Sequence, residues 1–419
     1  MRTTWLTLLA VTAAMQAEEP DPFLPYLDGV APPILREVPV DLPVPAGVQA
    51  RRVVFQSRNG SEIAAVIAAP TAPGTYPGIL VLHGGGGLAE GAKAVAWADR
   101  GYIAVAPDLP GIAQPEKLTD TVGRWNGWKY GEHRWTAEPD ATASVIFDAV
   151  VAGLKALDLL RAQPGVDGAR IGVVGISWGG YMTTMLCGLV GPRVRAAFSV
   201  FGSGFYELTS NTGNLAKMTP PERLRWLAHL DAGRRAPHIT AAYFVAGATN
   251  DFFFYPAAVQ ATLDAIPGER NRVWAPNADH TMTVPGGMAV GPATPHTPTA
   301  FQPVATPQGT GTWMAMEVPW FAYHLQGHGA PFPTVRVEPG ADPRQVVLRT
   351  TAPEPLTGVT VVWAPAHHDV KTRVWTSIPA TADGPDRYRA ELPPEAVTWF
   401  ATASDTRPVS VSTDLVQIP

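Results

Sequence analysis

Cysteine is nearly absent from this sequence. Cys187 is the one cysteine in 419 residues, so no disulfide bond can form within the chain. Charged residues are also sparse, at 16% with a net charge of −5, and no run of lysine or arginine occurs. Such a run is typical of nucleic-acid binding or of a polybasic membrane anchor. Beyond the first residues, no apolar stretch reaches the roughly 18 residues that a membrane-spanning helix needs. The sequence therefore predicts no nucleic-acid partner and no membrane span.

Apolar residues, by contrast, make up 46% of the chain, which is enough for a large buried core. The length favours two folded units with flanking segments. The first residues are typical of a signal peptide, because Arg2 precedes the apolar segment Trp5–Ala14 and small residues continue to Ala17. We expect residues 1–17 to be a cleaved signal peptide and the protein to be exported, to the periplasm or the extracellular space. An uncleaved N-terminal anchor is the alternative.

Strand-like and helix-like segments alternate between residues 51 and 328. The uninterrupted apolar run Gly78–Leu82 is typical of a strand buried on both faces of a parallel sheet. This alternation predicts an α/β domain with a mostly parallel, doubly wound sheet, preceded by a proline-rich arm at residues 18–50. Strands are expected at 51–56, 63–68, 78–82, 102–106, 171–174, 196–201, 241–246 and 272–275, and the main helices at 90–100, 141–163 and 179–189.

The pattern changes after Gly327, where residues 329–333 have the composition of a linker. Seven short β-type segments follow, separated by turn residues and without any helix-period segment. Residues 333–419 are therefore predicted to form a small all-β sandwich of immunoglobulin or fibronectin type III size. Carbohydrate binding and bracing of the α/β domain are its two candidate roles. We favour bracing, because Trp363, Trp375 and Trp399 occur within strand-like runs, as core residues do.

A tight strand-to-helix turn carries the strongest chemical signal. In Gly175-Ile-Ser-Trp-Gly179, the serine lies two residues from a glycine on either side, after an apolar strand and before a helix. This G-x-S-x-G context is that of a nucleophile elbow, a strained turn whose flanking residues must be nearly free of side chains. The sequence predicts Ser177 as a catalytic nucleophile. A strand-helix turn without chemistry is the alternative.

A serine hydroxyl is a poor nucleophile and needs a base, which in turn needs an orienting acid. On folds with this elbow the chain order is serine, acid, histidine. Asp251 follows the predicted strand 241–246, and His280 follows the predicted strand 272–275 and a short loop. Asp264 lies within a predicted helix and fits less well. We therefore predict Asp251 as the acid and His280 as the base.

Acyl transfer also needs hydrogen-bond donors for the negative charge of its tetrahedral intermediate. One is the backbone N–H after the nucleophile, which belongs to Trp178. The other is expected from the glycine run 84–87, because glycines leave the backbone N–H groups open to a substrate. Gly85 and Gly86 are the candidate donors. The run lacks the Lys-Ser/Thr ending of a phosphate-binding loop.

These motifs together resemble the α/β-hydrolase superfamily, and within it the acetylxylan esterase and dienelactone hydrolase-like branch. The resemblance rests on His83–Gly87, Gly175–Gly179, Gly247–Asp251 and Asp279-His280, and it covers about residues 51–327. The segment 250–256, with Pro276-Asn277, is also similar to the PhoPQ-activated pathogenicity-related proteins. The resemblance implies hydrolysis through a covalent intermediate. Dienelactone hydrolases proper use a cysteine nucleophile, and a serine at this position favours ordinary ester cleavage.

An aromatic-rich insertion at residues 111–140 is expected to lie above the elbow. Its aromatic side chains would form either a wall that binds a sugar or acyl group, or a packed core beneath a lid. The candidate substrate-binding residues are Trp125, Trp128, Tyr130 and Trp135.

The favoured function is that of a serine hydrolase that cleaves carboxylic esters of short acyl groups, in a small molecule or an acetylated carbohydrate. The expected acyl transfer needs no cofactor or metal. A metal site at His367-His368-Asp369 is not expected, because adjacent residues on a strand point to opposite faces. A serine peptidase of the prolyl oligopeptidase type is one alternative, although such enzymes usually carry a large propeller before the catalytic domain and about 50 residues precede this one. A non-catalytic envelope protein on the same fold is the other alternative.

Overall fold

The computed structural model describes residues 20–280, 305–306, 309–310, 315–340 and 342–418. The predicted signal peptide lies outside these residues. Nine strands form the central sheet: β1 (Ile34–Val38), β2 (Val48–Gln56), β3 (Glu62–Pro70), β4 (Tyr76–Leu82), β5 (Ile103–Pro107), β6 (Val166–Ile176), β7 (Ala196–Val200), β8 (Ala242–Ala248) and β9 (Arg270–Ala275).

The strand order of this sheet is β1-β2-β3-β5-β4-β6-β7-β8-β9. The six strands from β5 to β9 in this order are parallel to one another, and β1, β2 and β3 form an antiparallel extension at one edge. The mostly parallel sheet predicted from the sequence is therefore confirmed. All eight predicted strands are present.

Helices cover both faces of the sheet. On one face lie α1 (Gly91–Ala98) and α7 (Glu317–Phe321), and on the other lie α2 (Val145–Arg161), α3 (Trp178–Val190) and α6 (Pro256–Ala265). Two further helices, α4 (Thr212–Leu215) and α5 (Pro220–Leu230), lie between β7 and β8 along the chain. Among the described residues, none of the helices combines the length and apolar character needed to cross a bilayer.

The proline-rich arm packs on the domain and also contributes a strand that the sequence had not predicted. Phe23 is fully buried and stacks on Phe147 of α2, with ring centroids 4.4 Å apart. Further along the arm, β1 pairs with β2, and β2 itself begins at Val48, before the boundary predicted at residue 51. The residues of β1 are exposed or half-buried, so backbone pairing rather than burial defines this edge strand. A hydrophobic pattern therefore could not reveal it.

The C-terminal region is all-β, as predicted. A short ribbon of β10 (Ala305–Thr306) and β11 (Gly309–Thr310) precedes α7 along the chain. The C-terminal region itself contains two antiparallel sheets. One sheet consists of β12 (Thr334–Glu338), β13 (Gln345–Thr351), β16 (Thr381–Ala382) and β17 (Arg387–Glu391). The other consists of β14 (Leu356–Ala364), β15 (Thr376–Pro379), β18 (Thr398–Asp405), β19 (Ser410–Ser412) and β20 (Val416–Gln417). A sandwich arrangement of the two sheets stays a prediction.

The β region shares a buried boundary with the α/β domain. Trp274 in β9 donates its backbone N–H to Ser412 Oγ at 3.0 Å and its indole N–H to the Thr413 carbonyl at 3.2 Å. Trp363, Trp375 and Trp399 are all buried, as their positions in strand-like runs had indicated. The two regions therefore meet along β9, the strand that precedes the predicted base.

Candidate active site

The turn after β6 has the geometry of a nucleophile elbow. Ser177 has φ 57° and ψ −119°, a strained conformation for a residue with a side chain. A Cβ atom on Gly175 would lie 2.2 Å from the Gly179 carbonyl oxygen, and one on Gly179 would lie 2.1 Å from the Leu82 carbonyl oxygen. Both distances are far below van der Waals contact. The two glycines of the motif are therefore required by packing.

We expect Gly179→Ala to lower the free energy of unfolding by about 3 kcal/mol, because the added methyl group would overlap the carbonyl oxygen that ends β4. Thermal denaturation followed by circular dichroism measures the effect. Gly213→Ala is the matched control, since a Cβ atom there meets nothing within 4 Å. Equal melting temperatures for the two variants would contradict the packing argument.

The structure brings the three predicted side chains together at the carboxyl edge of the sheet, after β6, β8 and β9. Ser177 Oγ lies 2.8 Å from His280 Nε2, and His280 Nδ1 lies 2.8 Å from Asp251 Oδ2. With the ring proton on Nδ1 donated to the carboxylate, Nε2 is free to accept the serine proton.

Backbone hydrogen bonds fix the position of the Asp251 carboxylate. Its carboxylate is 1% exposed, and Oδ1 accepts the backbone N–H groups of Phe253 at 2.7 Å and Phe254 at 2.8 Å. Only Oδ2 therefore faces His280. The rings of Phe201 and Phe253 lie 5.0 and 4.9 Å from the imidazole, which leaves the His280 side chain 10% exposed. This apolar surrounding lowers the local dielectric and strengthens the bond between carboxylate and imidazole.

The two predicted sources of oxyanion donors are both close to Ser177, since Trp178 follows it directly and a Cβ atom on Gly84 would lie 3.5 Å from Ser177 Cβ. Trp178 is the first residue of α3, so its N–H is at the electropositive end of a 13-residue helix. In the glycine run, the N–H of Gly86 donates to the Ile112 carbonyl at 2.8 Å. That bond occupies the amide and argues against Gly86 as a donor. Within the described part of the chain, no acceptor takes the N–H of Gly85 or of Trp178.

A buried histidine outside the predicted site residues anchors the glycine run. His83 Nε2 accepts the backbone N–H of Leu109 at 2.9 Å, so Nδ1 carries the ring proton and donates it to the Gly84 carbonyl at 2.8 Å. Burial lowers the pKa of His83, which keeps the ring in the neutral form that this bonding needs. The position of a histidine directly before a glycine run is the sequence signal that could have indicated this structural role.

The aromatic insertion divides into residues at the site and residues away from it. Trp125 is 2% exposed and lies in a hydrophobic core cluster, which favours the packed-core alternative for this residue. Trp128 packs on His133, with ring centroids 4.1 Å apart. Trp135 lies 6.3 Å from the Trp178 ring and 4.8 Å from the Trp226 ring. Burial in this irregular loop follows no hydrophobic period in the sequence. The sequence therefore does not show which of the four aromatic residues are buried and which face the site.

Tyr130, another of the four candidate aromatic residues, borders the glycine run 84–87. It is 43% exposed, and its hydroxyl lies 2.6 Å from the position that a Cβ atom on Gly85 would take. The buried guanidinium of Arg134 lies 4.2 Å from the Tyr130 ring centre and donates to the Gly111 carbonyl at 2.6 Å. A cation over the ring face fixes the ring's orientation. Arg134 is thus a supporting residue that the sequence had not indicated.

A parallel sheet that presents a serine elbow, an acid and a histidine in this chain order defines an α/β-hydrolase fold. The chain belongs to the dienelactone hydrolase family, whose sequence pattern matches residues 63–281, just over half of the 419 residues. A search of curated protein sequences found no match.

Solved structures to which this chain is similar include two esterases and a peptidase. Acetyl xylan esterase 1 from Thermoanaerobacterium sp. is 21% identical, with 61% of this chain and 86% of that chain covered and a TM-score of 0.52. The acetyl xylan esterase from Paenibacillus sp. is 21% identical over 59% and 84% of the two chains, with a TM-score of 0.49. The acylaminoacyl peptidase from Pyrococcus horikoshii is 19% identical over 56% and 38%, with a TM-score of 0.42. At 21% identity the likeness to acetyl xylan esterase 1 shows the fold alone. The resemblance to PhoPQ-activated proteins stays a prediction.

Proposed function

We propose that the protein is a serine esterase that hydrolyses carboxylic esters of short acyl groups, including acetylated carbohydrates. The observation that carries the proposal is the hydrogen-bonded series from Ser177 through His280 to Asp251, with 2.8 Å at both bonds. The strained conformation of the serine supports it further, because strain of this kind is kept where the surroundings enforce it for function.

The proposed reaction is acyl transfer in two steps. His280 Nε2 takes the proton of Ser177 Oγ as the oxygen attacks the ester carbonyl, and Asp251 stabilises the imidazolium that forms. The N–H groups of Trp178 and Gly85 bind the oxygen that becomes negatively charged. His280 then gives its proton to the leaving alkoxide, and the acyl group stays on Ser177. A water molecule, deprotonated by His280, releases the acid and restores the serine.

Membership of the dienelactone hydrolase family supports hydrolysis of an ester or lactone bond. A serine in place of the cysteine of dienelactone hydrolases proper favours simple carboxylic esters. We also propose that the protein is exported to the periplasm or the extracellular space, because its first 17 residues have the pattern of a signal peptide. The C-terminal β region, as a small sandwich, would brace the α/β domain along β9.

The test compares ester and amide substrates with the full chain lacking the proposed signal peptide. We expect turnover of p-nitrophenyl acetate and butyrate, with little hydrolysis of a prolyl p-nitroanilide. Faster hydrolysis of the anilide would instead establish the peptidase alternative. A fluorophosphonate probe should label Ser177, as identified by mass spectrometry of the labelled peptide. A folded protein that neither turns over esters nor takes the label would overturn the proposal in favour of a non-catalytic role.

Substrate contact by the Tyr130 hydroxyl is tested by Tyr130→Phe. We expect KM for p-nitrophenyl acetate to rise about 3- to 10-fold with kcat little changed, because the variant loses one neutral hydrogen bond made equally in the ground and transition states. Tyr76→Phe is the matched control, since it removes a hydroxyl that bonds to the Ala72 carbonyl at the opposite edge of the sheet. Identical KM values for both variants would place Tyr130 outside the substrate's reach.

A further inference from the structure

The loop that carries His280 is hydrogen-bonded to the C-terminal β region. Asn277 lies three residues before the histidine, and its side chain faces the backbone of Trp375. Its Nδ2 donates to the Trp375 carbonyl at 2.8 Å, and its Oδ1 accepts the Trp375 N–H at 2.8 Å. The side-chain amide thus pairs with a backbone residue as a neighbouring strand would. Two bonds from one planar group fix both the position and the tilt of the loop.

The loop that carries Asp251 is held by the same segment. Asn250 directly precedes the acid and is 7% exposed. Its Nδ2 donates to the Arg373 carbonyl at 2.7 Å and to the Lys371 carbonyl at 3.2 Å. Its Oδ1 accepts the hydroxyl of Thr249 at 2.7 Å. The side chain therefore has partners for both amide hydrogens and for its oxygen.

The two loops are also bonded to each other. The backbone N–H of Asn277 donates to Thr249 Oγ1 at 2.9 Å, and the backbone N–H of Asn250 donates to the Ala278 carbonyl at 2.9 Å. The acid loop, the base loop and the segment 371–375 consequently form one hydrogen-bonded network. Movement of the segment would be transmitted to both loops.

The segment 371–375 has hydrogen bonds and packing contacts of its own within the β region. Lys371 lies in a single 3₁₀ turn, and its N–H is capped by Asp369 Oδ1 at 3.0 Å. Arg373 donates to the His367 carbonyl at 3.3 Å. Trp375 is 5% exposed and packs on Phe400, with ring centroids 5.4 Å apart, in a core that continues into the α/β domain.

We propose that the segment 371–375 is a positioning element for the acid and the base, acting through Asn250 and Asn277. The proposal rests on the proposed function of Asp251 and His280. Neither asparagine touches the reacting atoms. They hold the two loops at the separation at which the carboxylate fixes the orientation of the imidazole. The β region is in this way part of the catalytic apparatus and not only a stabilising appendage.

The experiment compares Asn250→Ala and Asn277→Gly with wild type in the full chain. Glycine is chosen at position 277 because φ is 57° there, a conformation that glycine adopts without strain. The matched control is Asn271→Ala, which removes a similar bond, from Nδ2 to the Pro333 carbonyl at 3.2 Å, near the start of β9 and away from the triad.

We expect Asn250→Ala and Asn277→Gly each to lower kcat for p-nitrophenyl acetate about 10- to 100-fold with KM within about twofold, since a misplaced catalytic group costs rate rather than binding. Asn271→Ala should keep the wild-type kcat. A second readout is the strongly deshielded NMR resonance of the proton shared by His280 Nδ1 and Asp251. This resonance should be sharp in wild type and the control, and broadened or lost in the two test variants.

Unchanged kcat and an unchanged proton resonance in both test variants would overturn the proposal, whatever their melting temperatures. A fall in melting temperature with both readouts intact would show that the asparagines only stabilise the fold, and would overturn it as well. Failure of the proposed function is distinguishable from these results. In that case wild type hydrolyses no ester and Ser177 takes no fluorophosphonate label, while the proton resonance still reports whether the asparagines position His280 against Asp251.

Discussion

Replacing Ser177 with alanine is expected to lower kcat for p-nitrophenyl acetate by about 10⁴- to 10⁶-fold, because the variant cannot form the acyl-enzyme. Substrate binding should persist, since the N–H groups of Trp178 and Gly85 are untouched. The backbone strain also stays, because alanine needs the same positive φ as serine. The melting temperature should therefore change little, which separates loss of chemistry from loss of fold.

The measurement is initial-rate kinetics of purified wild type and variant, with fluorophosphonate labelling alongside. Ser199→Ala is the matched control. It removes a buried hydroxyl in the adjacent strand β7, where the serine donates to the Gly202 carbonyl at 3.3 Å. We expect the control to retain activity and label. Ester turnover by Ser177→Ala at a rate comparable to the control would show that the nucleophile lies elsewhere.

Asp251→Asn is expected to lower kcat by about 10³- to 10⁴-fold, because it imposes the wrong histidine tautomer. Oδ1 of residue 251 accepts two backbone N–H groups, from Phe253 and Phe254, and this fixes which way an asparagine amide would turn. Its oxygen must stay toward those donors, so its NH₂ group would face His280 Nδ1. The imidazole would then carry its proton on Nε2 and could not accept one from Ser177.

The same kinetic assay at neutral pH tests this expectation. Asp264→Asn is the control, since it neutralises an exposed carboxylate on α6 that bonds to Gln260 Nε2. The labelling rate of Ser177 should fall in Asp251→Asn and stay unchanged in Asp264→Asn. Wild-type kcat in Asp251→Asn would mean that another group orients the base.

Much of the site was predictable because its signals are local. The elbow needs glycines at two positions around one serine, and the contacts of Gly175 and Gly179 show why no other residue fits. The acid and base follow buried strands whose apolar runs are visible in the sequence. Since the carboxyl ends of parallel strands meet at one edge of a sheet, the chain order alone predicted that Ser177, Asp251 and His280 would converge.

The orientation of individual groups was not predictable in the same way. Four glycines in a row do not reveal that the Gly86 amide is bonded to Ile112 while that of Gly85 has no acceptor among the described residues. Likewise, Trp125 and Tyr130 belong to one loop without a hydrophobic period, yet Trp125 is buried in the core and Tyr130 borders the glycine run 84–87.

The amino-acid sequence by itself determined the strand and helix pattern, the elbow and the order of the predicted nucleophile, acid and base, because burial and backbone conformation leave a local pattern. The tertiary structure alone decided which loop groups face the site, that β1 joins the sheet edge, and that Asn250 and Asn277 bond to the segment 371–375. The two asparagine contacts join residues 123 and 98 positions apart, and β1 is an edge strand without a hydrophobic pattern. All of these contacts depend on how separate elements pack against one another rather than on any pattern within one of them.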